Sequence, residues 1–319
     1  MLRRVAGLAL ALFCWVGPAQ SAPVAQAALK VPLATKVVFL GLARAGERVV
    51  AAGERGIVIY SDNAGASWTQ ADVPVRGTLT ALTFIDPRIG FAVGHDAVIL
   101  KTVDAGASWS LLNFEPESQN VMLNVHFRDA RTGWVTGSNG QLWTTHDGGA
   151  NWDRQTLAVE DWYQNHIFDL AWLPDGTILA VAEKGVLYRS ISGQRDFMPI
   201  DSPYEGSFFG ALTFPAGRML IFGMNGHAFV TDDDGTSWQR VVTNTQQFLL
   251  SGSLLADGSA LLVGGGGTLL WLRPDALTVQ AARPLDRIGF TAALPAGDDL
   301  YIATAAGGVR KLPLAQIFK

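Results

Sequence analysis

One unit recurs along the chain: an apolar strand ending in a small residue, a short polar turn, then a second apolar strand. It reads VVAAGERGIVIYS, GFAVGHDAVILKT, GWVTGSNGQLWTT, ILAVAEKGVLYRS, MLIFGMNGHAFVT, ALLVGGGGTLLWL and LYIATAAGGVRKL. The small residue is Gly53, Gly94, Gly137, Ala182, Gly223, Gly264 and Thr304, so successive copies lie 41, 43, 45, 41, 41 and 40 residues apart. That interval is the length of a four-stranded propeller blade. The pattern predicts an all-β fold, a seven-bladed β-propeller of four-stranded antiparallel blades. The composition agrees, because 35 glycines and 10 tryptophans in 319 residues belong to a chain rich in tight turns rather than to a helix bundle.

Eight residues after the marker stands a second motif, Ser/Thr-x-Asp-x-Gly-x-x-Trp, which the sixth and seventh repeats have lost. Three copies are complete: Thr102, Asp104, Gly106, Trp109; Thr145, Asp147, Gly149, Trp152; and Thr231, Asp233, Gly235, Trp238. A fourth, SDNAGASW, has Asn63 at the acid position, and SISGQRDF at 190–197 is a degenerate copy. A short carboxylate and a hydroxyl accept bonds from free turn N–H groups, glycine permits positive φ, and tryptophan covers the joint. A calcium or sugar site would use the same residue types, but such a site normally occurs once. Recurrence in several blades favours a structural turn.

The motif is the Asp-box of the bacterial neuraminidase repeat. The wider pattern at 122–152, MLNVHFRDARTGWVTGSNGQLWTTHDGGANW, resembles the photosystem II assembly and stability factor family. The resemblance extends over all seven repeats and is strongest in the second and third. It implies an exported, chaperone-like propeller that binds a newly made membrane protein or envelope complex, a transporter among the candidates, and is not an enzyme. Similar proteins occur in bacteria without photosynthesis, so the expected location is the periplasm, or the thylakoid lumen if the organism is photosynthetic.

Antiparallel blades send alternate turns to opposite faces, so the Asp-box turns share one face with the A–B turns. The B–C turns share the other with the D–A connections. Binding favours irregular loops on a rigid scaffold, which selects the second face. Its B–C turns form two columns: Glu54, His95, Ser138, Glu183, Met224, Gly265, Ala305, and Arg55, Asp96, Asn139, Lys184, Asn225, Gly266, Ala306. Blades one to four supply nearly all the polar members. The longest interval adds the connection LAVEDWYQNHIF, with Asp161, Trp162, Tyr163 and His166. The candidate partner-binding set is therefore Arg55, His95, Asp96, Asn139, Trp162, Tyr163, His166, Glu183 and Lys184.

The first residues read as an export signal: Arg3 and Arg4, an apolar run from Val5 to Val16, and Ala19-Gln20-Ser21 as a cleavage site. This divides the chain into a signal peptide, 1–21, and a single propeller, 22–319, not itself transmembrane after processing. The one cysteine, Cys14, lies in the signal. Cleavage removes two arginines and takes the formal charge from −4 to −6. With no basic footprint, a nucleic-acid partner is not expected. Residues 29–33 (LKVPL) precede the first blade while the seventh repeat ends without a clear fourth strand, so this N-terminal strand is expected to close the ring by pairing with blade seven.

Asp-boxes also occur in sialidases and glycoside hydrolases, so the alternative function is a carbohydrate-active hydrolase. A sialidase needs an Arg-Ile-Pro-like segment and an arginine cluster with a tyrosine nucleophile. The nearest string is Pro87-Arg88-Ile89-Gly90, in an A–B turn on the box face. Glu115, Glu117, Asp161, Glu205 and Asp286 lie in D–A loops and keep a two-carboxylate mechanism open. His95, His126, His146, His166 and His227 have no ligand-like spacing, and GGGGT at 264–268 lacks the lysine of a phosphate loop. No metal, cofactor or catalytic residue is expected.

Overall fold

The computed structural model describes residues 24–159, 164–193, 195–282 and 287–317. The predicted signal segment and Asp161, Trp162, Tyr163 and Asp286 lie outside them. Seven antiparallel sheets follow one another along the chain, each with its strands in sequence order. Blade one comprises β1 (Phe39–Ala45), β2 (Arg48–Gly53), β3 (Val58–Ser61) and β4 (Thr69–Gln70), and blade two β5 (Leu79–Phe84), β6 (Gly90–Gly94), β7 (Ile99–Thr102) and β8 (Ser110–Asn113). Blade three comprises β9 (Met122–Phe127), β10 (Gly133–Gly137), β11 (Gln141–Thr145) and β12 (Asp153–Thr156). Blade four comprises β13 (Ile167–Trp172), β14 (Ile178–Ala182), β15 (Leu187–Ser190) and β16 (Met198–Ile200). Blade five comprises β17 (Phe208–Thr213), β18 (Met219–Gly223), β19 (Ala228–Thr231) and β20 (Gln239–Val241). Blade six has β21 (Leu249–Leu254), β22 (Ala260–Gly264), β23 (Leu269–Leu272) and β24 (Gln280–Ala281). Blade seven has β25 (Phe290–Ala296), β26 (Asp299–Thr304) and β27 (Val309–Pro313), followed by a short helix α1 (Leu314–Ile317). The fold is the seven-bladed propeller read from the repeat interval.

The second strand of each blade is buried on both faces, with β6, β10, β14, β18 and β22 buried at every position. These strands are continuous apolar runs because the core lies between adjacent blades. One cluster, for example, joins Val50 and Val58 of blade one to Ala92, Leu100 and Trp109 of blade two.

The small marker residue has a steric cause. The N–H that follows it donates to the carbonyl just before strand A in all seven blades: Glu54 to Val38, His95 to Thr78, Ser138 to Val121, Glu183 to His166, Met224 to Ser207, Gly265 to Phe248 and Ala305 to Gly289. Backbone approaches backbone so closely that a Cβ at Gly53, Gly94, Gly223 or Gly264 would run into that same carbonyl oxygen. Ala182 fits in blade four with its φ at −137°, away from the nearly flat −171° of Gly53.

Ring closure corrects the sequence expectation. Blade seven has three strands among the described residues, and 29–33 do not pair with it. Their hydrogen bonds go to the outer edge of blade one instead: Ala28 N–H donates to Val73 O (2.9 Å), and the Gln70 side chain donates to Leu29 O (2.8 Å) and accepts from Val31 N–H (3.0 Å). Val31 also packs in one cluster with Val309 of blade seven. Lys30 pairs with Asp72 at 2.8 Å. Pro32 brings no N–H, so the segment cannot furnish a regular ladder. The ring closes directly, with Phe39 and Ala51 of blade one packed against Ala292 and Ala303 of blade seven. Thr291 Oγ1 donates to Phe39 O at 2.6 Å across the joint.

Candidate functional site

The two faces are arranged as the strand alternation requires. Ala105 and Gly148, in the Asp-box turns of blades two and three, donate to Arg88 O and Arg131 O of the A–B turns, both at 2.9 Å. In the box of blade two, Thr102 Oγ1 donates to Asp104 Oδ1 (2.8 Å) and accepts from Gly106 N–H (2.9 Å). Asp104 also accepts from Ser108 N–H (2.9 Å) and Ser108 Oγ (2.6 Å). The boxes at Asp147 and Asp233 repeat this pattern. In blade one the Asn63 carbonyl accepts from Ser67 N–H (2.9 Å) while its amide donates to Ser67 Oγ (2.8 Å), so asparagine reproduces both contacts.

The degenerate box hides a relocated acid. Asp196, six residues after Ser190 rather than two, accepts from Ser190 Oγ, from the N–H groups of Ile191 and Ser192 (each 3.1 Å) and from Ser192 Oγ (2.7 Å). Burial pushes its carboxyl up, but the bonds from Ser190 and Ser192 outweigh this and hold it at about 2. The motif spacing gave no sign of this substitution.

On the opposite face, the second residue of the B–C turn takes the left-handed conformation in blades one to six: Arg55 (φ 59°), Asp96 (61°), Asn139 (54°), Lys184 (55°), Asn225 (55°) and Gly266 (60°). Asp, Asn and Gly are the residues that tolerate this region, so backbone geometry accounts for much of that polar column. It does not account for Arg55 and Lys184, two long cations held there with exposed side chains.

Of the other predicted partner residues, His95 and Asn139 are exposed, while Asp96, His166 and Glu183 are half-buried. Asn139 and His166 are brought together, with Asn139 N–H donating to His166 Nδ1 at 3.2 Å and Asn139 Nδ2 donating to Asn120 Oδ1 at 3.1 Å. The remainder are spread along the turns of blades one to four. The other side of the same face exposes large apolar side chains beside the amides Asn225, Gln246 and Gln247: Met224, Phe248 and Leu250 are 43%, 44% and 36% exposed. Phe168 and Phe209 meet edge to face at 5.1 Å beside Leu250 at the channel wall. The charged side chains Arg55 and Lys184 thus lie on one arc of the face and the exposed large apolar side chains on the other. The apolar arc was not singled out from sequence, although Phe168, Phe209 and Leu250 occupy corresponding places in three successive inner strands.

The inner strands enclose a central channel of about 450 Å³. One carboxylate lines it among the described residues, Asp169 on β13. Its Oδ1 lies 2.6 Å from His126 Nε2 and accepts from Asn124 Nδ2 (2.9 Å) and from Leu170 N–H (2.9 Å). Its Oδ2 accepts from Ala211 N–H of blade five at 3.0 Å. Three blades are tied through one side chain. Sequence reasoning missed this cluster; the available signal was an acid inside the otherwise apolar strand IFDLAW.

A pair of carboxylates poised for glycoside hydrolysis is not found among the described residues of the channel. Glu115 is held by Arg154 at 2.6 Å. Glu205 lines a separate pocket of about 230 Å³ with Lys184, Tyr204 and Val159. Arg88 Nε donates to Val103 O beside the box of blade two, far from the B–C face. No three His, Cys, Asp or Glu side chains among the described residues cluster as a metal site. No described helix is long and apolar enough to cross a membrane.

Residues 108–246, from the box of blade two through blade five, match the family described as Photosynthesis system II assembly factor YCF48. The resemblance to the assembly factors stands. Similar solved structures include one described as YCF48 bound to D1 peptide, 19% identical, covering 93% of this chain and 97% of the other with a TM-score of 0.68. YCF48 from Cyanidioschyzon merolae is 15% identical over 90% of this chain and 98% of the other, with a TM-score of 0.70. The WD40 propeller domain of Doa1 reaches 0.71 at 12% identity, covering 90% and 95%. At these identities the structures establish the fold alone. A search of curated protein sequences finds no significant match.

Proposed function

We propose that this chain is a non-enzymatic binding propeller that holds an extended segment of a membrane protein or envelope complex during its assembly. The observation that carries the reading is the family match over residues 108–246 together with a similarly folded protein described as YCF48 bound to D1 peptide. The bound segment lies on the B–C face, with its polar groups against Arg55, His95, Asn139 and Lys184 and its apolar side chains toward Phe248, Leu250 and Phe209. Trp162 and Tyr163 complete the site as aromatic anchors. The divided face supports this, since an extended chain carries both kinds of side chain. The Asp-boxes belong to the fold and not to the site. The protein acts after export, with a mature start near Ala22, in the periplasm or the thylakoid lumen according to the organism.

The test is crosslinking capture from envelope membranes with the wild type, with Arg55, Lys184, Trp162 and Tyr163 changed together to Ala, and with Phe248 and Leu250 changed to Ser. Both variants should lose the membrane protein while melting like the wild type. Retained capture by both would move the site elsewhere, and glycan hydrolysis by the purified wild type would reject the non-enzymatic reading.

A further inference from the structure

Among the described residues six blades end in a fourth strand and blade seven does not, which leaves β27 as the edge of its sheet. The complete blades show which way its backbone groups point. In blade one Val58 lies opposite Ala52 of β2, and its carbonyl accepts the N–H of Ala71 from the outer strand at 2.9 Å. In blade six Leu269 lies opposite Val263 and accepts from Ala282 at 2.9 Å. Val309 holds the same place in blade seven, opposite Ala303. Since N–H and C=O of one strand residue point to the same side and the side alternates, Val309, Lys311 and Pro313 direct their backbone groups outward. Arg310 and Leu312 use theirs toward Ile302 and Leu300.

We propose that β27 is a second peptide-binding site, which takes an extended segment of a partner polypeptide as the fourth strand of blade seven. This is independent of the B–C face, because the edge lies on the outer rim of the ring, where the other blades carry their last strands. The complete blades define what fits. Opposite the position of Val309 four blades place Ala71, Ile200, Val241 and Ala282 and two place Asn113 and Gln155, so a small or medium apolar residue is the commoner occupant and is the one a guest strand offers there. Around that position the wall is apolar, with Val31, Trp68 and Val309 in one cluster and Leu312, Leu314 and Ile317 in another. The edge strand itself carries Arg310 and Lys311 side by side, with Lys311 reaching Asp299 at 2.8 Å. An acidic residue opposite Lys311 complements this charge.

The same charge argues against a second copy of this chain as occupant. Two β27 strands paired about a twofold axis centred on the segment would set Lys311 opposite Lys311, and like charges directly opposite destabilise a strand pair. Pro313 limits the ladder further, since it has no N–H to offer. The edge is thereby blunted against itself and open to an acidic guest.

The probe is a capped synthetic peptide of residues 237–243, the fourth-strand sequence of blade five, carrying Gln239→Glu. In the register of blade five, Val230 opposite Gln239 and Ala228 opposite Val241, it sets the Glu opposite Lys311 and Val241 opposite Val309. Titrated into the purified protein and followed by amide NMR and hydrogen exchange, it should perturb residues 309–313 and protect the amides of Val309 and Lys311. Lys311→Pro removes an outward N–H without touching the bonds to β26 and should weaken binding at least tenfold, whereas Lys311→Ala, which keeps that N–H, should weaken it only a few-fold. N-methylation of the peptide at Val241 should abolish binding. Absence of perturbation at millimolar peptide, or equal binding by the N-methylated peptide, would overturn the proposal. So would a dimer in light scattering that Lys311→Pro dissociates, since it would give the edge to a second copy.

Discussion

The carboxylate of Asp169 on β13 accepts the N–H of Ala211 on β17 at 3.0 Å while its other oxygen lies 2.6 Å from His126 Nε2 on β9. Inner strands of three consecutive blades are therefore fastened by a side chain that is itself buried. Asp169→Ala leaves the Ala211 N–H and the Asn124 amide without their acceptor inside the channel wall. Such a loss costs about 1–3 kcal/mol, which for a chain of this size lowers Tm by roughly 2–5 °C. Thermal melting followed by circular dichroism checks this, and an unchanged Tm would show that the channel rehydrates the orphaned donors without cost.

The boxes make a paired prediction. Asp104→Ala removes the acceptor of Ser108 N–H and of the Ser108 and Thr102 hydroxyls, and should cost about 1–2 kcal/mol. Asn63→Asp should be nearly neutral, because the other boxes make the same contacts with an acid. Denaturant midpoints of the two variants distinguish a fold element from a ligand site: loss of partner capture at full stability in Asp104→Ala would contradict the structural role.

Acid should expose the boxes as a group. Hydrogen bonds from the Asn151 side chain and backbone hold Asp147 at about 2, and those from Ser237 do the same for Asp233. These folded-state values lie below the ordinary 3.8, so the stability they contribute is complete above that value and is lost as pH falls toward 2. Tm should stay level on this account near neutrality and decline between about pH 4 and pH 2. Replacing Asp147 and Asp233 together by Asn, which keeps the contacts seen at Asn63, should flatten that decline. An identical acid slope in the double variant would refute the assignment.

The repeat interval, the small markers and the two faces were legible from sequence because each is a local requirement repeated many times. A backbone contact such as Gly264 against the Phe248 carbonyl recurs in kind in other blades, and recurrence is what a single sequence can display. Features that occur once were not legible. Asp169 forms its cluster with residues 43 to 45 positions earlier and 42 later, contacts set by blade packing rather than spacing. Asp196 reaches its box from a shifted position, which a fixed motif spacing overlooks. The N-terminal segment is held to blade one by the Gln70 side chain, a contact with no counterpart in the motif. A face that combines exposed Phe248 and Leu250 with exposed Arg55 and Lys184 likewise emerges only when the ring is assembled.

Lys184 offers the sharpest separation of stability from function. It stands at φ 55°, the left-handed position that blades two, three, five and six fill with Asp96, Asn139, Asn225 and Gly266. A long side chain there strains the backbone by about 1 kcal/mol relative to residues suited to the region. Lys184→Asn should leave Tm unchanged or raise it by a degree or two, and Arg55→Asn, at φ 59°, should do the same. If the cations are kept at a conformational cost because they contact the partner, the double variant should be at least as stable as the wild type yet capture less membrane protein. Undiminished capture by the double variant would remove both cations from the binding face, and a marked drop in Tm would show instead that they brace the turns.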